Sequence, residues 1–165
     1  MTDTSATRRG VLLGSAALAL LLVGCARTPP TPTVHTNAGP IAEKLLRVGH
    51  VRAGQLVSER LIPAGASVTV GSGAEATFSV NGLAEIFVLF SVENGGHALH
   101  FRSDMQGKIA IDGEILTLEQ LRAGGQTSER GDTATFALQP SARGKVNIGD
   151  STILFQFVPP PPEPK

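Results

Sequence analysis

The chain has one cysteine, no tryptophan and no tyrosine among its 165 residues. A single thiol cannot close an intramolecular disulfide, and a metal site needs several ligands converging on one ion. Without indole and phenol rings, the stacking platforms usual in sugar-binding clefts and single-stranded nucleic-acid grooves are missing. The seven phenylalanines that remain are spaced like core residues. Charge is balanced, with 14 Lys and Arg against 14 Asp and Glu. No basic patch is implied, so DNA and RNA are not expected partners. No apolar run reaches the ~20 residues of a membrane-spanning helix. There is no HExxH helix and no GxSxG elbow, and Gly71-Ser72-Gly73 is too short for a phosphate loop.

What is present begins at the N-terminus. Arg8 and Arg9 precede an uncharged stretch, "GVLLGSAALALLLVG" from Gly10 to Gly24, and Cys25 follows. A basic start, a short apolar run and small residues before a cut describe a secretory signal over residues 1–24. The segment Leu22-Val23-Gly24-Cys25 resembles the bacterial lipobox. That resemblance implies that the Cys25 thiol is diacylglycerated, that the chain is cut before it, and that the new amino group is acylated, with palmitate as an expected chain. Each buried methylene adds ~0.8 kcal/mol, and stable attachment takes more than one chain. Thr7-Arg8-Arg9-Gly10-Val11-Leu12-Leu13 also looks like a twin-arginine export signal, with two ordinary arginines as the alternative. Ala26 stands where an inner-membrane retention signal would place Asp, which favours the outer membrane by analogy. The expected location is the cell envelope, lipid-anchored and facing the periplasm.

Removing residues 1–24 takes away Arg8, Arg9 and Asp3 and leaves 12 basic against 13 acidic residues. Residues 25–40 then form a Pro/Thr-rich tether with too little apolar surface to fold and a bias to polyproline II. At ~3.1 Å per residue it reaches ~45 Å. His35 within it reads as an exposed linker residue. Residues 159–165, "PPPPEPK", are a second stiff segment.

Residues 41–158 are enough for one domain with its own core. Short apolar runs alternate with turns. Stretches 45–52 and 55–62 flank Ala53-Gly54, and 67–71 and 75–80 surround Ser72-Gly73-Ala74. Stretches 85–92 and 97–101 flank Asn94-Gly95, a strong hairpin signal, and 108–111 turns at Asp112-Gly113 into 114–116. Stretches 133–138, 145–148 and 152–158 complete the set. Thr117 and Gln120 form a capping box before one short helix, with Gly124-Gly125 as its stop. The pattern predicts an all-β sandwich or barrel.

Three stretches carry a further resemblance. "VTVGSGAEATFSV" (68–80) looks like the opening of a forkhead-associated (FHA) domain, and Gly107 to Leu116 resembles that family's following hairpin. "GDTATFAL" and "GKVNIGDSTILFQF" resemble its closing strands. Ala142 to Val158, running into Pro159, is also similar to the FHA-like segment of myxobacterial gliding-motility and TonB-like envelope proteins. The resemblance implies a sandwich of about eleven strands. In that family phosphothreonine is held by an Arg after the first Gly and by a Ser-x-x-His. Here Ser72 takes the place of the Arg, and "NGLAEIFVLF" has neither Ser nor His. A neutral hydroxyl cannot supply bidentate phosphate recognition, so phosphothreonine is not the expected ligand. Arg102 and Lys108 are possible substitutes from other loops.

Other chemistry has thin support. His97 and His100, at i and i+3 on a strand, point to opposite faces and cannot share an ion. Ser91, Ser103, His97, His100 and Asp104 are close in sequence, and a hydrolase would need Ser103, His100 and Asp104 to converge. Asp112, Asp132 and Asp150 each adjoin a turn glycine, where Asx-type bonding accounts for them. The expectation is a non-catalytic protein–protein interaction module binding an envelope protein, with no cofactor and no metal. Its loops 71–76, 81–85 and 102–106 would form the binding edge, with Ser72 and Arg102 as ligand-binding candidates. Cell-wall or glycan binding and an envelope hydrolase are the alternatives.

Overall fold

In a computed structural model the described residues are 44–162. Cys25, the signal segment and residues 25–40 lie outside them, as do residues 163–165. Twelve strands and one short helix follow in order: β1 Leu45–Arg52, β2 Gln55–Ile62, β3 Val68–Gly71, β4 Phe78–Ser79, β5 Phe87–Glu93, β6 Gly96–Arg102, β7 Gln106–Ile111, β8 Glu114–Thr117, α1 Leu118–Ala123, β9 Ser128–Arg130, β10 Thr133–Ala137, β11 Arg143–Ile148 and β12 Ser151–Val158.

They form two six-stranded sheets, β2-β1-β12-β11-β7-β8 and β4-β3-β5-β6-β10-β9. The all-β sandwich expected from the alternating pattern is what the chain adopts. The turns explain the hairpins. Ala53-Gly54, Asn94-Gly95 and Asp112-Gly113 all hold both residues at positive φ, the geometry whose twist suits a two-residue hairpin. At the helix, Thr117 Oγ1 accepts from the Gln120 amide while Gln120 Oε1 accepts from the Thr117 amide. The predicted box is therefore complete.

The core lies between the sheets. Phe90 of β5 meets Phe155 of β12 edge-on, centroids 5.2 Å apart, joining the two layers. Phe78, Phe101, Leu99, Ile109 and Ile153 are fully buried around them. Leu121 on α1 is fully buried, and the helix packs on β7 and β8.

Two details depart from the expected pattern. The stretch 75–80 is a strand only at Phe78–Ser79, and it pairs with β3 in parallel, not as a hairpin. The loop 72–77 must therefore run back along β3. Thr69 and Thr77 hold it there: each hydroxyl accepts from the other residue's amide, at 3.0 and 3.1 Å. The second departure is β9, a three-residue edge strand on β10.

Register fixes the two poles of the sandwich. The start of β1 pairs with the end of β12, Leu45 opposite Val158. The turns at 94–95, 112–113 and 139–142 share this pole, where Ser141 donates to Asp112 and Lys44 to the Pro140 carbonyl. The loops 80–86, 103–105 and 149–150 lie at the other pole. There Asn81 donates to Asp150, and Gly82 packs against Gly149.

Candidate functional site

The pole bearing the loops is a network of short polar side chains. Ser72 follows β3 and is exposed. Arg102 ends β6 with its guanidinium 5.8 Å from the centre of the Phe87 ring at the start of β5. Strand order β3-β5-β6 therefore puts one strand between the two candidates, a spacing of ~10 Å. They share an edge but not a point of contact.

Arg102 is also engaged. Its Nε and Nη2 donate to the two carboxylate oxygens of Asp104 at 3.1 and 2.7 Å. This fork-to-fork arrangement occupies the geometry that a bound anion would use. Lys108 is exposed on β7, beyond this loop.

The neighbouring carboxylates tie loops together. Ser103 Oγ donates to Asp132 at 2.5 Å, and Arg122 Nη2 donates to the Asp132 carbonyl at 2.7 Å. The Ser103 hydroxyl bond, helped by Arg122 and Arg102, holds the Asp132 carboxyl below its usual range. Asp150 is held low in the same way, first by the Ser151 hydroxyl and then by Asn81 and Arg52. Behind it, buried His50 lies 3.0 Å from Ser151 Oγ. Because Ser151 spends its proton on Asp150, the His50 Nε2 is the donor. Burial lowers the His50 pKa, with Arg52 acting in the same sense and Asp150 opposing. These pairs account for Asp132 and Asp150 as loop fasteners, while Asp112 serves the opposite pole.

The proposed convergence of Ser103, His100 and Asp104 does not form. Ser103 is bound to Asp132 and Asp104 to Arg102, while His100 stands on the outer face of its sheet. His97 faces the interior, its ring 5.9 Å from that of Phe157, so the two histidines are on opposite faces. His100 instead has Nε2 2.7 Å from Ser91 Oγ and Nδ1 2.9 Å from Thr135 Oγ1. Ser91 also donates to Glu93 at 3.2 Å. Burial pushes the His100 pKa down, with Glu93 opposing. Because Ser91 spends its proton on Glu93, the His100 Nε2 is the donor, as at His50, and the group on Nδ1 is a hydroxyl where a catalytic triad would place a carboxylate. Sequence reasoning missed Thr135 and Glu93. The Asn94-Gly95 turn puts Ser91 opposite Ala98, and His100 faces the same way as Ala98, one step further along β6; that signal was readable.

Two hollows, about 700 and 510 Å³, open on the molecule. The larger lies between Arg102–Met105, β7, β11 and the start of α1. The smaller lies over the outer face of β1, β12, β11 and β7. Neither includes Ser91, His100 or Ser72. Among the described residues no group of three or more His, Cys, Asp or Glu is placed to hold a metal ion, and no helix is long and apolar enough to cross a membrane.

The fold and these surfaces define a two-sheet β-sandwich with a polar loop pole. Comparison with known protein families, curated proteins and solved structures finds no match.

Proposed function

We propose that the chain is a lipid-anchored envelope protein whose FHA-like sandwich is a non-catalytic protein-binding module. Its anchor would be Cys25, on the periplasmic side of a membrane, the outer one by preference. The observation carrying this reading is the polarity of the domain. The described chain enters at Leu45 and leaves at Val158 on one pole, and the loops 81–85 and 102–106 stand at the other. A tether joined at the first pole leaves the second free to meet a partner. Exposed Ser72 and the carboxylate-bound Arg102 favour a partner other than phosphothreonine.

The test is crosslinking in cells of the tagged full-length protein, with Cys25→Ala as the control and mass spectrometry of what is captured. One envelope protein should be recovered only with Cys25 intact, and lost again with Arg102→Ala. Recovery of cell-wall fragments alone would replace this reading with glycan binding.

A hydrolase is the second reading: it would need the Ser91 hydroxyl to turn from Glu93 to His100 Nε2, 2.7 Å away. Labelling by a fluorophosphonate that is abolished by Ser91→Ala would establish it.

A further inference from the structure

The outer face of the first sheet carries a concentration of positive charge that the chain's overall balance does not suggest. Arg143 and Lys145 point outward from β11, two residues apart and so ~6.8 Å along the strand. Lys108 on β7 is the register partner of Lys145, on a strand ~4.8 Å away. All three are exposed, and none pairs with a carboxylate among the described residues. Like charges directly opposite each other destabilise a sheet. Elsewhere on this face the chain neutralises its cation: Arg47 meets Glu59 at 2.8 Å.

Shape adds to charge. Lys108 and Lys145 line both hollows, forming the ridge between them. Exposed apolar side chains flank the ridge, Leu154 (41% exposed) beside Lys145 and Ile115 (66%) on the edge strand β8.

We infer that this face docks an extended, acidic segment of a protein partner, with carboxylates at alternate positions. Alternate side chains of an extended segment lie on one side at ~6.8 Å spacing, which matches Arg143 and Lys145 along β11. Intervening contacts fall on Leu154 and Ile115. A bilayer surface presents nothing to fill the two hollows, whereas side chains of a peptide can. A nucleic acid would call for a basic chain with stacking rings, and this one has net charge zero and neither Trp nor Tyr. The three cations lie on β7 and β11, outside loops 71–76, 81–85 and 102–106, although Arg102–Met105 wall one side of the larger hollow. Failure here leaves the loop-pole reading standing.

The experiment measures fluorescence anisotropy of a labelled, alternating Glu-Val octapeptide against the full-length protein in detergent. A Gln-Val octapeptide and phosphatidylglycerol vesicles serve as the other probes. The acidic peptide should bind, and added salt should weaken it. Lys108→Gln with Lys145→Gln should cost about tenfold in affinity, while Arg130→Gln, an exposed cation on β9, should cost nothing measurable. Lys108→Glu with Lys145→Glu should turn the preference to a Lys-Val octapeptide, which guards against a variant that merely unfolds. Equal binding of the Gln-Val peptide, binding indifferent to the lysine substitutions, or binding of vesicles in place of the peptide would each overturn the inference.

Discussion

The return of loop 72–77 along β3 depends on two threonines, and their contribution can be worked out bond by bond. Thr69 N–H donates to Thr77 Oγ1 (3.1 Å), Thr77 N–H donates to Thr69 Oγ1 (3.0 Å), and the two hydroxyls share a third bond (3.2 Å). Each net hydrogen bond contributes about 1 kcal/mol. Thr69→Val removes two of the three bonds, the one its oxygen accepts and the shared one, and should cost about 2 kcal/mol. Thr77→Val also removes two and should cost about the same. The double variant removes only three, because both single variants already delete the shared bond. It should therefore cost about 3 kcal/mol, about 1 less than the sum of the singles. Valine keeps the shape and β-branching, so the strand preference of β3 is undisturbed. The assay is urea denaturation of the full-length protein and its three variants, read by circular dichroism, with slopes required to agree. Strict additivity would mean that the hydroxyls do not bond each other. Single losses well under 0.5 kcal/mol would mean that water replaces the bonds and that something else holds the loop.

Two further outcomes follow from the interior. His50 and His100 both have pKa values lowered from 6.5, chiefly by burial, so the folded state binds fewer protons than the unfolded one. Their contribution is complete above pH 6.5 and is lost as pH falls through that value toward the lowered ones, so the urea midpoint should drop on mild acidification and His50→Gln should flatten the drop; a midpoint that rises in that window refutes the assignment. At Gly144 an added Cβ would stand 2.5 Å from the Lys108 carbonyl oxygen and 2.9 Å from the Phe155 ring. Gly144→Ala should therefore lose about 1–3 kcal/mol by denaturation, against less than about 0.5 for Gly73→Ala, whose Cβ meets nothing closer than 3.9 Å.

The parts of the fold that sequence reveals are those where a local rule and the final geometry agree. The Asn94-Gly95 and Asp112-Gly113 hairpins need only their own residues to take positive φ, and the capping box of α1 is complete within four residues. The last strand buries Ile153 and Phe155 on one face as its alternation requires, with Phe157 packed against the core on the same face. Where long-range pairing decides, the pattern misleads. Strand β9 is Ser128, Glu129 and Arg130, all exposed, and offers no apolar period to detect. In β5 the consecutive Leu89 and Phe90 are both fully buried, because a register shift against β3 leaves Leu89 without a partner residue. The parallel β3–β4 pair is invisible for the same reason, since nothing local says which way a two-residue strand will lie.

The candidate site divides along the same line. That Ser72 and Arg102 come to one pole follows from strand order, while the loop after Ser72 runs back along β3. Their chemistry was not legible, because the partner of Arg102 is Asp104, two residues on, at a point where the chain turns and no periodic rule applies. The basic ridge was hidden more deeply. Lys108 and Lys145 are separated by most of two hairpins and a helix, and only the antiparallel register of β7 with β11 makes them neighbours. A net charge of zero is therefore compatible with a strongly one-signed surface. On the outer face of the first sheet the one acid, Glu59, is paired with Arg47, so the field there belongs to Lys108, Arg143 and Lys145, which have no carboxylate partner among the described residues. Such a field acts most strongly on what approaches that sheet face, which gives this domain a second surface chemically distinct from the loop pole.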